Sequence, residues 1–269
     1  MPAFGRKTFH PRLQNGVFKF VLHKNPAMKK KRYLKADLHL HTCDGVIEKD
    51  IPYNAFELID MGMKNGYEVL SITNHDSVTF SGYLRDYARE RGIVLIPGIE
   101  LTLKRKHVLI YNVVEKLHWI KNFSDLEQLR DKNNFLMAPH PFYPCYKSLG
   151  RHLKAWIHLF DAIELSHFYT SAFDFNRNAI QCAQQFGLPL VGTSDSHTLH
   201  QMNHTYTLVD AEKDPEEIFK AIKDGKIEVI TTPLTLTHTG KILFDLILKN
   251  HLSKMAAASV YMTSFLPRF

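Results

Sequence analysis

The sequence predicts an α/β protein built on a parallel sheet with crossover helices, closed or open. Three observations predict it. Strand-like and helix-like segments alternate about seven times at short spacing. No linker interrupts them. Polar residues collect just after the strand-like runs, where α/β barrels place their sites.

Taken in order, residues 1–33 mix short apolar pieces with Lys and Pro, and Val17 to Leu22 reads as an added edge strand. A first core strand leads into Asp37-Leu38-His39-Leu40-His41, then turns at Asp44-Gly45. Tyr53 to Lys64 carries apolar residues at Phe56, Ile59, Met61 and Met63, a helix stopped at Asn65-Gly66. Glu68 to Thr73 is a strand, Gly82 to Arg91 a helix, and Ile93 to Ile96 a strand running on through Pro97-Gly98 to Leu101. His107 to Val113 is strand-like, and Ser124-Asp125-Leu126-Glu127 is a capping box that predicts a helix to about Asn133.

Phe135 to Ala138 is a short buried strand ending in Pro139-His140-Pro141. A helix over Leu149 to Leu159 and a strand over Ala162 to Leu165 follow. Asp174 to Phe186 is a helix closed by Gly187, and Leu188 to Val191 a strand that ends in Gly192-Thr193-Ser194-Asp195-Ser196-His197. Beyond it come a helix (Asp214 to Lys223), a strand (Gly225 to Ile230), an amphipathic helix (Gly240 to Leu252) and a short apolar tail to Phe269.

Composition narrows the class. Forty-five per cent apolar residues suits a folded chain with a sizeable core. No apolar run reaches the roughly 20 residues that span a bilayer, and Met1 to Lys35 lacks a signal-peptide stretch. Cys43, Cys145 and Cys182 are odd in number and widely spaced, which predicts reduced thiols, no disulfides and a cytoplasmic location. The net charge of +7 is uneven: residues 1–35 hold 10 of the 34 Lys and Arg and no Asp or Glu, leaving 24 basic against 27 acidic residues. The basic leader suits a solvated extension or attraction to polyanions such as RNA or DNA.

On a strand, His39 and His41 point the same way and can grip one ion. Asp37 shares that face, and the turn at Asp44 swings a carboxylate towards the same mouth. Collected over all the strand ends, the polar set is His39, His41, Asp44, His75, Glu100, His107, His140, Asp195 and His197. Six imidazoles with three carboxylates suit Zn, Mn or Fe better than Ca or Mg. Nine donors exceed the needs of one ion, so two or three divalent ions sharing a bridging carboxylate are expected. Each of the 16 histidines is weak evidence alone, and the coincidence of five clusters carries the argument.

These motifs resemble the polymerase-and-histidinol-phosphatase (PHP) family across about residues 34–235. The resemblance rests on Asp-Leu-His-Leu-His-Thr-Cys-Asp-Gly at 37–45, Ile-Thr-Asn-His-Asp at 72–76 and Pro-Gly-Ile-Glu-Leu at 97–101 with His107 beyond. Ala-Pro-His-Pro at 138–141 and Gly-Thr-Ser-Asp-Ser-His at 192–197 complete it. It implies a distorted (β/α)7 barrel with its active site at the C-terminal strand ends, hydrolysing phosphoesters with a di- or trinuclear metal site. By the same resemblance His39, His41, Glu100 and Asp195 hold a first ion. Glu100 bridges to a second, completed by His107 and His140, and Asp44, His75 and His197 hold a third. Asn74 departs from the family's usual Asp, which implies the loss of a carboxylate that orients His75. Residues 1–33 then form a basic extension, and residues 236–269 a helix and tail packing on the barrel or a partner.

The expected chemistry is in-line attack on phosphorus by a hydroxide bridging two ions, with Asp195, Glu100 and His197 as the catalytic groups. Arg177 and His167 are the candidate substrate-binding residues, ahead of Lys147 and Arg151 in neighbouring loops. Phe142, Tyr143, Tyr146, Phe168 and Tyr169 cluster in the same loops and suit stacking on a ring or packing of the rim. The expected substrate is a nucleotide, a short oligonucleotide end or another small phosphoester, with no membrane partner. Histidinol-phosphate phosphatase and a non-catalytic PHP module are the alternatives.

Overall fold

In the computed structural model, which describes residues 10–14, 17–21, 33–115, 117–132, 134–235, 237, 239 and 240, one sheet curls until its ends nearly meet. A hairpin of β1 (His10–Gln14) and β2 (Val17–Val21) precedes β3 (Leu34–Leu40) and β4 (Val69–Ile72). Then come β5 (Val94–Leu103), β6 (Lys106–Tyr111), β7 (Phe135–Ala138), β8 (Ala162–Ser166) and β9 (Leu190–Thr193). The chain returns through β10 (Thr205–Val209) and β11 (Ile227–Thr231). Strands β3 to β9 lie in sequence order, seven in all, with β10, β11, β2 and β1 added beyond β3. The ring closes where Leu40 bridges Ser196 in parallel and the His41 amide donates to the Ser196 carbonyl at 3.1 Å.

The helices start where the sequence supplies caps. In α1 (Ala55–Lys64) the Asn54 side chain accepts from the Phe56 and Glu57 amides while Glu57 bonds back to the Asn54 amide. Ser81 caps α2 (Gly82–Glu90), and α4 (Asn176–Phe186) ends on left-handed Gly187. Asp214 caps α5 (Pro215–Lys223), with Pro215 opening its first turn.

Three expectations are corrected. The sheet is not all parallel: β6 runs antiparallel to both β5 and β7. Only Lys104 and Arg105 join β5 to β6, both at positive φ (48° and 67°), so a tight hairpin replaces a crossover helix. The segment Phe123–Lys132 winds as 3-10 turns, not an α-helix. There the Asp125 carboxylate, not Ser124, takes the Lys121 and Asn122 amides ahead of the segment. Residues 149–159 give only α3 (His152–Ala155) and a 3-10 turn at Ile157–Leu159, parted at Trp156, which stacks on Phe123.

The larger core joins β3 and β5 to β9 with α4 and α5, through residues such as Leu38, Ile110, Phe135 and Ile222. A second core packs α1 and α2 on β4 through Leu58, Ile59, Leu70, Ile72, Leu84 and Ala88. No described helix is long and apolar enough to cross a membrane. All three cysteines are free. The helix expected from Gly240 to Leu252, the tail beyond it and most of the basic extension lie outside the described residues.

Candidate metal centre

Strand alternation does what the spacing predicts. His39 on β3 and His41 just past its end are fully buried inside the ring, and Leu40 between them joins the second core. Glu100 reaches the same point from β5. His107 is the second residue of β6, and because that strand runs backwards, its start lies at the end where its parallel neighbours finish. Past β7 and β9 the backbone turns through positive φ at His140 (28°) and Asp195 (45°). Such geometry in non-glycine residues costs about 1–3 kcal/mol each and is typical of functional sites.

Glu100 is the hub. Its Oε2 lies 3.4 Å from His39 Nε2, 3.4 Å from His41 Nε2 and 3.1 Å from His75 Nε2. Its Oε1 faces the other way, 2.6 Å from His107 Nδ1 and 3.2 Å from His140 Nε2. Asp195 Oδ1 sits 3.3 Å from both His39 Nε2 and His41 Nε2. The rings of His41 and His197 stack at 4.3 Å, and those of His41 and His75 at 4.7 Å.

Behind this inner ring stand carboxylates turned to the far side of the imidazoles. Glu164, buried in the middle of β8, places Oε1 2.7 Å from His39 Nδ1 and accepts the Thr193 hydroxyl, while its other oxygen accepts the His140 amide. Glu48 Oε1 lies 3.1 Å from His41 Nδ1 and 2.6 Å from His75 Nδ1. Both histidine groups are thereby turned with Nε2 towards Glu100. Asp37 is equally buried but serves the backbone, accepting the Ser194 amide at 3.1 Å.

The charges are mutually dependent. Burial pushes the Glu100 carboxyl up, but His39, His75 and His107 outweigh it and hold it well below the usual range. Asp195 is likewise held low by His39, His41 and His197 against its burial. Burial lowers His140, yet Glu100, Asp195 and Glu164 carry it up to about 9, and His39 and His41 are raised in the same manner. His197, pressed down by burial and by His41, falls to about 4.

Every predicted ligand except Asp44 touches another member of the set. Among the described residues three groups have ligand atoms within 4.8 Å of one another: His39, His41 and Glu100; His75, Glu100 and His107; His41, His75 and His197. Asp44 is exposed, and its Oδ2 accepts the Ala55 amide at 2.7 Å, tied to the positive end of α1. His167 is buried, with Nε2 3.1 Å from Gln201 Nε2. Arg177 is exposed at the second position of α4. Beside His140 lies a narrow recess of about 10 Å³, walled by Phe142, Tyr143, Phe168, Phe175 and Asn176.

Sequence reasoning missed Glu48, Glu164 and Gln201. Glu164 left one signal, a lone carboxylate inside the apolar strand Ala-Ile-Glu-Leu-Ser. Glu48 lies in a loop with no periodicity to read. The carboxylate expected to orient His75 is missing at position 74, and another residue stands in its place. Asn74 accepts the Thr42 amide and donates to the Thr42 and Thr79 hydroxyls, while His75 is held by Glu48.

The donor set fits divalent transition metals. The buried Nε2 atoms of His39 and His41 and both nitrogens of His107 make no hydrogen bond to any described residue, a costly arrangement unless a cation takes their lone pairs. Two donors each about 2.05 Å from a tetrahedral ion lie about 3.3 Å apart, and the inner-ring contacts of 3.1–3.4 Å match that spacing.

By architecture and site the molecule is thus a mixed α/β barrel, nearly closed, with a cluster of histidines and carboxylates at one end of its strands whose geometry could hold metal ions. A family model described as PHP-associated matches residues 173–227, the segment carrying Asp195 and His197. That match lies within the stretch whose motifs resemble the PHP family. The uncharacterized protein MJ1587 of Methanocaldococcus jannaschii is 25% identical over 125 residues, covering 44% of this chain and 73% of that protein. The crystal structure of PsfC from Pseudomonas syringae PB-5123 shares the fold, with a TM-score of 0.56 at 17% identity over 82% of this chain and 99% of that one. A Bifidobacterium adolescentis protein described as a candidate metal-dependent phosphoesterase aligns with a TM-score of 0.48 at 13% identity, over 62% of this chain and 89% of that one.

Proposed function

We propose that the chain is a metal-dependent phosphoesterase using two or three Mn, Fe or Zn ions. The observation that carries this reading is the division of labour at Glu100, whose two oxygens face two separate sets of imidazoles. His39, His41, Glu100 and Asp195 would hold one ion, and Glu100, His107 and His140 a second. His75 and His197, with His41 beside them, offer donors for a third. When bound, such ions supply positive charge to phosphoryl oxygens and acidify coordinated water.

The protein's own groups do the rest. Asp195, about a quarter exposed at the mouth and held ionised, can take the proton that water gives up as its oxygen bonds to phosphorus. The P–O bond to the leaving group breaks, and that proton passes to the leaving oxygen. His197, neutral at pH 7 with a pKa near 4, donates or accepts a hydrogen bond without adding charge. Glu100 fixes the spacing of the two donor sets. Arg177, exposed at the second position of α4, is the candidate cation for a phosphate. The substrate in this reading is a nucleotide, a short oligonucleotide end or another small phosphoester, with Phe142, Tyr143, Phe168 and Phe175 near His140 as candidates to stack on a base.

The test is metal content after chelator-free purification, with hydrolysis of p-nitrophenyl phosphate and bis-p-nitrophenyl phosphate under added Mn²⁺. Two or three equivalents and turnover are expected, the preferred ester separating monoesterase from diesterase. Less than one equivalent and no turnover would end the proposal.

A further inference from the structure

The loop after β3 contains a group that neither the metal-ligand set nor the reaction accounts for. Glu48 is 4% exposed, although Val46 and Ile47 just before it are 72% and 63% exposed. One oxygen of its carboxylate meets three donors: His41 Nδ1 at 3.1 Å, His75 Nδ1 at 2.6 Å and the His75 amide at 2.5 Å. Burying a carboxylate this deeply is expensive unless its partners are fixed and charged or strongly polar. The two rings stack at 4.7 Å, and the Nε2 of each points at Glu100 Oε2.

We infer that Glu48 is the positioning residue for His41 and His75, a single carboxylate that sets tautomer and orientation for two candidate metal ligands at once. An acceptor on both Nδ1 atoms requires both to carry hydrogen, which leaves both Nε2 lone pairs free and facing forward. Asn74 cannot do this, because its amide is spent on Thr42 and Thr79. The chain makes room for Glu48 by a glycine: a Cβ at Gly45 would strike Glu48 Oε2 and Asn74 Cβ. Gly45 and Glu48 therefore act as a pair, one keeping clear the space the other fills.

The inference rests on the metal-centre reading, and its test uses binding rather than turnover. Full-length protein is stripped with chelator, and Zn²⁺ affinity is measured by competition with a chromophoric chelator for the wild type, Glu48→Gln, Gly45→Ala and Asn74→Asp. Loss of an outer carboxylate typically costs 10- to 100-fold in metal affinity. A drop of about tenfold or more is expected for Glu48→Gln, a smaller drop for Gly45→Ala, and less than twofold for Asn74→Asp. Long-range proton–nitrogen spectra of the Zn²⁺-loaded wild type should show His41 and His75 as Nδ1–H tautomers, with at least one pattern lost in Glu48→Gln. Melting of the metal-free variants checks that they fold.

Wild-type affinity in Glu48→Gln, or a larger loss in Asn74→Asp than in Glu48→Gln, overturns the inference. A wild type that binds no metal overturns it together with the metal centre. A wild type that binds metal but cleaves no ester removes only the phosphoesterase reading and leaves the comparison of variants standing.

Discussion

Glu164 lies behind His39 with its Oε1 2.7 Å from the ring Nδ1, both side chains fully buried. The same carboxylate takes the Thr193 hydroxyl and the His140 amide, so it joins β8 to β3, β9 and the turn after β7. Removing it would leave His39, raised well above its ordinary pKa, as a buried charge short of a partner. Glu164→Ala should therefore cost about 3 kcal/mol or more of metal-free stability and about 10- to 100-fold in metal affinity. Glu164→Gln, which keeps the volume, should lose less of both. Thermal melts in chelator and Zn²⁺ competition measure the two effects; an unchanged affinity in both variants would refute the role.

Glu100→Ala and His140→Ala should each remove bound metal and abolish ester hydrolysis while the fold persists. Glu100 contacts five histidines across the two halves of the cluster, so its loss should empty more than one position. Metal analysis with circular dichroism tests this, and unchanged metal content in both variants would sink the site assignment.

Gln201 secures the segment bearing Asp195 and His197. Its Oε1 accepts the His197 and Thr198 amides at 2.8 Å each, and its Nε2 meets His167. Gln201→Ala removes the acceptor from those half-buried donors, a loss of about 1 kcal/mol, and should weaken metal binding by roughly tenfold. Gln201→Glu keeps the acceptor and should recover most of the stability. Equal melting of wild type and Gln201→Ala would argue against this anchoring.

Stripped of metal, the protein should lose stability as pH climbs from about 6.5 through 9. His140 is raised from 6.5 to about 9, so across that interval the folded chain holds a proton that the unfolded chain has released. Its stabilisation is complete below 6.5 and vanishes as pH passes 9. His39 and His41 are raised too and act in the same direction. Bound cations would take the place of these protons, so metal-loaded protein should show a flatter profile. Melts between pH 6.5 and 9.5, with and without chelator, give the comparison; identical slopes would contradict it.

How much of this could be read in advance varies by element. His39, His41, Glu100, Asp195 and His197 stand out because strand alternation and strand-end turns leave a local pattern in the chain. The helices α1, α2 and α5 were equally legible, expected over Tyr53 to Lys64, Gly82 to Arg91 and Asp214 to Lys223. The reversal of β6 was not, since Lys104-Arg105 carries none of the Asn-Gly chemistry that marks a two-residue hairpin. Glu164 and Glu48 were hidden for another reason. Their importance comes from partners 125 and 7 residues away, and no period or spacing encodes a contact of that kind.

The hairpin between β5 and β6 also orders events in time. Glu100 and His107 belong to one two-strand unit closed by Lys104 and Arg105, so they can meet early, at little cost in chain entropy. Asp195 and His197 reach the same point only when the last strand returns to the first and Ser196 bridges Leu40. Half of the candidate ligand set would thus assemble locally, and its completion would report that the ring has shut. A cation bound by both halves would act as a latch, slowing release of β9 far more than fraying of the hairpin.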